Sequence, residues 1–224
     1  MKGVMRAIWS DLMTRTPVFT TADVAEITGM ARSNVSRDLA KLADEGLIVR
    51  IRRGLWAIAS HPDFSPYAVV PRLFKGEHEG YVSLLSAMNL HGMIDQIPRA
   101  VHVVTITQRA RLVTPVGEYE FHQIGPELFG GQVPYRGSGN FDIASPEKSI
   151  FDTLYLSARK GRRFTHLPEI ELPGGFSPAA VERWIAKVGL EPLRLGLQDR
   201  WSRYAMEAAG RWRRLEALEA EPTR

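Results

Sequence analysis

The chain has 224 residues, 44% of them hydrophobic, with a formal net charge of +4 at pH 7. That content covers a core without covalent staples, and the complete lack of cysteine excludes thiolate catalysis, Cys-based zinc sites and disulfide switching. The start, MKGVMRAIWSDLMTRT, breaks its apolar pattern with Arg6 and Asp11, and nowhere do about eighteen apolar residues run together, so neither a signal peptide nor a membrane span is expected and the cytoplasm is the expected compartment.

In chain order, Val4, Ile8 and Leu12, with Met5, Trp9 and Met13, recur at helical spacing and predict a first helix over Lys2 to Met13, ended by Pro17. Thr20 or Thr21 offers an N-cap hydroxyl for a short second helix. Asp23 suits its positive end, Val24 and Ile27 face inward, and Gly29 fits the position just past its C-terminus. A third helix follows, in which Val35, Leu39 and Leu42 repeat at i, i+4 and i+7. Leu47 to Ile51 and Leu55 to Ile58 are β-prone runs separated by Arg52, Arg53 and Gly54, which predicts a hairpin with a basic tip.

Two helices joined by a glycine turn, then a hairpin, form the pattern of a winged helix-turn-helix. Arg32, Ser33, Asn34, Ser36, Arg37 and Lys41 lie off the Val35, Leu39, Leu42 stripe, at the end of a recognition helix that meets base edges. Arg pairs with guanine and Asn with adenine; Ser serves bases or phosphate, so Asn34 and Ser36 are open to either role. Arg50, Arg52 and Arg53 on the wing are placed for phosphates or a minor groove. The first sixty residues hold nine Lys and Arg against six Asp and Glu, a surplus of three. The expected partner is double-stranded DNA. Trp56 is read as a core anchor.

Ser60 to Leu73 holds three prolines and no sustained period, so residues 61–75 read as a linker between a DNA-binding domain over 1–60 and a second domain over 76–224. Beyond it, Val82, Leu85, Ala87, Met88 and Leu90 predict a short helix, and Ala100 to Thr107 alternates as a strand. Two strand-like pieces flank Pro115 and Gly117. Ser145, Pro146 and Glu147 give a cap, a first-turn proline and a dipole partner for a helix burying Ile150, Phe151 and Leu154; Ser177 and Pro178 repeat the cap chemistry. A last helical stretch from about Leu197 to Ala220 alternates Arg200, Arg203, Arg211, Arg213 and Arg214 with apolar residues. The expected class is α+β: an N-terminal winged helix, then an α+β domain with a helical tail.

No catalytic constellation is present. His102 and His122 lie on strands, neither with a second ligand at i+2 or i+4, and read as structural. The glycines of GPELFGG and YRGSGN fit neither a phosphate loop nor a dinucleotide fingerprint, and Ser145 is explained as a cap. Glu147, Lys148 and Asp152 read as a dipole partner and surface or interdomain salt-bridge residues. No enzyme activity, cofactor or metal is expected.

The stretch YVSLLSAMNLHGMIDQIPRAVHVVT, followed by IASPEKSIFDTLYL, resembles the AbiEi family of bacterial antitoxins from type IV toxin–antitoxin systems. The matching positions are Tyr81, Ser86, Ala87, Leu90, His91, Gly92 and Pro98, then Ser145, Pro146, Glu147 and Lys148. With the winged helix in front, the resemblance implies a repressor of its own operon that binds repeated promoter sites. It further implies a second domain that counteracts a nucleotidyltransferase toxin, bound directly or not. Whether the chain acts as monomer or dimer is open, since no heptad seam decides it. The alternative reading is a stand-alone winged-helix regulator whose second domain senses a ligand or dimerises. A third is a nuclease or transferase using Glu147, Lys148 and Asp152.

Overall fold

The computed structural model describes residues 12, 16–76, 78–159 and 169–219, with side chains through 206. The expected helix over Lys2 to Met13 lies outside them apart from Leu12, as do the side chains of Arg211, Arg213 and Arg214 in the tail. Leu12 is buried against Phe19, Val24 and Val35.

Strand β1 (Val18–Thr20) leads directly into α1 (Thr21–Thr28). Thr20 is the cap: its hydroxyl accepts from the Asp23 amide while the Asp23 carboxylate accepts from the Thr20 amide, a reciprocal capping box. Gly29 closes α1 at φ 67°, a left-handed conformation in which a side chain would be strained. Helix α2 (Arg32–Asp44) then buries Val35, Leu39 and Leu42, as their spacing requires. The hairpin consists of β2 (Val49–Arg52) and β3 (Leu55–Ala57), turned at Arg53 and Gly54, with Gly54 at φ 76°. Both strands are shorter than the apolar runs that predicted them, with an irregular register between Arg50 and Arg52; β3 also pairs with β1, so the sheet order is β1-β3-β2.

This small sheet is buried on both faces. Phe19, Trp56 and Ile58 face α1 and α2 in one cluster. Val18, Leu55 and Ala57, at the alternate positions, join a larger cluster with Val69, Val70 and Leu73. The stretch that lacked a period is therefore built in. Pro66–Leu73 forms a 3-10 helix whose Ser65 side chain accepts from the Tyr67 amide and whose Val69, Val70 and Leu73 are buried. Its prolines suit that short helix, and the hydrophobic-period argument misses it because 3-10 spacing differs from 3.6.

The second part is built on a six-stranded mixed sheet, ordered β6-β7-β5-β4-β9-β8, from β4 (Gly80–Val82), β5 (Val101–Thr105), β6 (Leu112–Thr114), β7 (Gly117–Gln123), β8 (Gln132–Pro134) and β9 (Asp142–Ala144). Pairs β5–β7 and β4–β9 are parallel, and the others antiparallel. Helices α3 (Leu84–Leu90), α4 (Pro146–Ala158), α5 (Pro178–Ala186) and α6 (Glu191–Glu219) complete the chain, α4 touching the other three.

Three sequence expectations change here. Val82 belongs to a strand, because Tyr81 and Val82 pair with Val104 and Val103, and α3 starts only at Leu84. Ser177 does not cap α5 with its side chain; its amide instead donates to the Glu147 carboxylate at 3.0 Å. Helix α6 starts at Glu191 rather than near Leu197, with Pro192 in the first turn, where a missing N–H leaves no intrahelical bond unmade.

Candidate nucleic-acid interface

Burial of Val35, Leu39 and Leu42 orients α2 completely: Arg32, Ser33, Asn34, Ser36, Arg37 and Lys41 are all exposed along its outer face. Ala31 caps the helix without a side-chain hydrogen bond, so its first amides point outward with the positive end of the dipole, as an anion-binding N-terminus does. Lys41 pairs with Asp38 at 3.2 Å, an exposed contact of small energetic weight.

The three hairpin arginines are not equivalent. Arg50, Arg52 and Arg53 are all exposed, with the Arg50 guanidinium 5.6 Å from the centre of the Trp56 ring. Arg52 turns back, its Nη2 donating to the Arg72 carbonyl at 2.9 Å. Arg72 itself lies 3.5 Å from Asp23 of α1. Arg52 thus sits at the seam between the hairpin and the 3-10 helix. Trp56 is 3% exposed and donates from Nε1 to the Thr21 hydroxyl at 3.0 Å, tying the hairpin to the start of α1.

The blocks that carry the family resemblance converge in the second part. Tyr81 and Ser83 donate to Asp152 Oδ2 at 3.1 and 2.7 Å. Val82 is in parallel register with Ile143, and the His91 ring Nε2 lies 2.8 Å from the Ala144 carbonyl. Ser145 caps α4 through the Lys148 amide at 3.2 Å.

Lys148 and Asp152, read from sequence as surface or interdomain salt-bridge residues, do form an ion pair, but one with no exposure at either side chain. The reason is the sheet: α4 lies against it, so its i and i+4 polar positions face inward. The Lys148 ammonium also donates to the Leu128 carbonyl at 2.8 Å and lies 4.5 Å from the Trp184 ring centre and 4.8 Å from that of Phe151. Burial pushes the Asp152 carboxyl up and the Lys148 ammonium down, and their mutual attraction opposes both shifts. Tyr81 is raised by the same burial and by the Asp152 charge, which keeps its hydroxyl protonated as a donor. Closed to solvent, the group offers a substrate no approach.

A second polar group joins two strands. His102 Nδ1 is 3.1 Å from His122 Nε2 and 3.8 Å from a Glu120 carboxylate oxygen. Burial lowers the His102 pKa against the pull of Glu120. Sequence spacing hid this group, because one histidine comes from a different strand and Glu120 stands two residues before His122 rather than after it.

The crystal structure of the RV2827C protein from Mycobacterium tuberculosis is similar in fold, with a TM-score of 0.55 at 15% identity over 92% of this chain and 78% of that one. No curated protein sequence matches the chain. Residues 13–59, which span α1, α2 and the hairpin, match the family described as transcriptional regulator, AbiEi antitoxin, and this stretch carries that family's signature.

Proposed function

We propose that this protein is a DNA-binding antitoxin that represses its own operon. In this reading α1, α2 and the hairpin form a winged helix-turn-helix, α2 enters the major groove, and Arg50 and Arg53 contact the flanking backbone. One observation carries it: all six small polar and basic residues off the apolar stripe of α2 are exposed together, next to a basic hairpin. The family match over residues 13–59 supports the same reading. The second domain is proposed to counteract a nucleotidyltransferase toxin, on the resemblance of the Tyr81–Pro98 and Ser145–Lys148 blocks. Those blocks meet in the core beneath β4 and β9, so they build the domain, and the neutralising surface is carried on it.

The test is co-expression with the adjacent gene. The expected result is a toxic neighbour whose growth arrest is relieved by this chain, also when Arg32, Arg37 and Arg53 are replaced by Ala. A harmless neighbour refutes the antitoxin role.

A second reading, a regulator that senses a small molecule, is favoured by a polar cavity of about 980 Å³ lined by Thr20, Arg72, His78, Glu79, Asn140 and Asp142. It opens at the seam between the two parts of the chain, and its volume suits a small ligand. A harmless neighbour combined with retained operator binding would favour this alternative.

A further inference from the structure

We propose that His102, Glu120 and His122 form a binding site for one divalent transition-metal ion of the zinc class, on the face of the six-stranded sheet that carries Tyr81. The register places them there. Strands β5 and β7 run parallel with His102 opposite Glu120 and Val104 opposite His122. Side chains alternate along a strand, so His102, Glu120 and His122 share one face. Tyr81 opposite Val104 is on that face too.

One ligand atom from each of the three lies within 4.8 Å of the others. A four-coordinate zinc with bonds of about 2.0–2.1 Å holds neighbouring nitrogens roughly 3.3–3.4 Å apart. The two imidazoles at 3.1 Å therefore need to part by only a few tenths of an ångström. Glu120, at 3.8 Å from His102, closes the set by rotating a side chain that is 28% exposed. That partial exposure is also the way in, since the histidines themselves are 8% and 6% exposed.

The donor set selects the ion class. Two imidazoles and one carboxylate suit zinc and its neighbours, with a fourth position left for water, whereas calcium and magnesium favour oxygen ligands throughout. In the metal-free chain the facing nitrogens share one proton in a hydrogen bond, which aims both rings at the same point. For binding, the donor ring shifts that proton to its other nitrogen, so both facing nitrogens present lone pairs and a metal bond from each replaces the hydrogen bond. The backbone under His102 is itself fixed, its amide donating to the Ser86 hydroxyl at 2.9 Å. A bound ion would staple β5 to β7, a parallel pair that no tight turn holds in register.

The test uses the full-length chain, stripped with EDTA and returned to chelator-free buffer. Zn²⁺ is titrated in competition with a chromogenic chelator, and Co²⁺ is then added to read the visible bands of a four-coordinate site. The expected result is one ion per chain, with His122→Gln and Glu120→Gln each weakening binding by at least about tenfold and His61→Gln leaving it unchanged. Circular dichroism checks folding; Glu120→Gln, at a partly exposed position, keeps the test decisive if His122→Gln does not fold. Failure of the folded chain to bind one equivalent of Zn²⁺, or affinity unaltered by both Glu120→Gln and His122→Gln, overturns the site.

Discussion

Asp152→Ala tests the buried ion pair. Both side chains are fully buried, and the Asp152 carboxylate accepts from Lys148, Ser83 and Tyr81. Removing it leaves the Lys148 ammonium with the Leu128 carbonyl and aromatic faces as its remaining neighbours. Breaking a buried pair by deleting one partner costs about 3–5 kcal/mol. In a chain of this size each kcal/mol lowers Tm by about 2–4 °C, so a fall of roughly 6–20 °C is expected. The double variant Lys148→Met with Asp152→Asn removes both charges and keeps an oxygen acceptor for Ser83 and Tyr81. It should regain most of that loss, because paired neutral replacement of a buried ion pair is often close to neutral. Differential scanning fluorimetry with urea titration measures both variants. A loss under about 1 kcal/mol for Asp152→Ala, or a double variant as unstable as the single one, would refute the argument from uncompensated buried charge.

Trp56→Ala opens the core between the hairpin and α1 and also removes the donor to Thr21; it should cost about 3–5 kcal/mol, seen as early loss of DNA binding in a thermal series. Gly29→Ala meets no atom within 4 Å, so its cost should be the left-handed backbone alone, about 1–2 kcal/mol, measured by urea unfolding. Arg52→Ala and Arg53→Ala should separate. The first loses a contact to the Arg72 carbonyl and lowers stability by up to about 1 kcal/mol. The second leaves stability alone and reduces the salt dependence of DNA binding by about one phosphate contact.

Much of the N-terminal part was legible because its signals are local, although Ile27, expected to face inward, is 43% exposed and only Val24 of that pair is buried. The stripe of Val35, Leu39 and Leu42, the Gly29 turn and the Arg-Gly hairpin tip each follow from spacing within a few residues. What escaped depends on partners distant in sequence. Lys148 and Asp152 read as surface or interdomain salt-bridge residues, and only the sheet laid against them shows that their pair is fully buried. The role of Arg52 at the seam depends on a carbonyl twenty residues away. Tyr81 and Val82 fit a helical period as well as a strand, and pairing with β5 decides between them. His102, Glu120 and His122 come together through a parallel register that no local motif encodes.

The most direct test of the central claim is fluorescence anisotropy of the chain on its own upstream DNA across a salt series, with Arg32→Ala/Arg37→Ala alongside. The account predicts tight binding whose logarithmic salt slope is about −3 to −5, as expected for roughly four or five phosphate contacts. It also predicts that the double variant is folded, binds at least tenfold more weakly and shows a shallower slope. Binding that ignores salt, or a double variant that binds as tightly as the parent, would contradict the assignment of α2 as the DNA-reading helix.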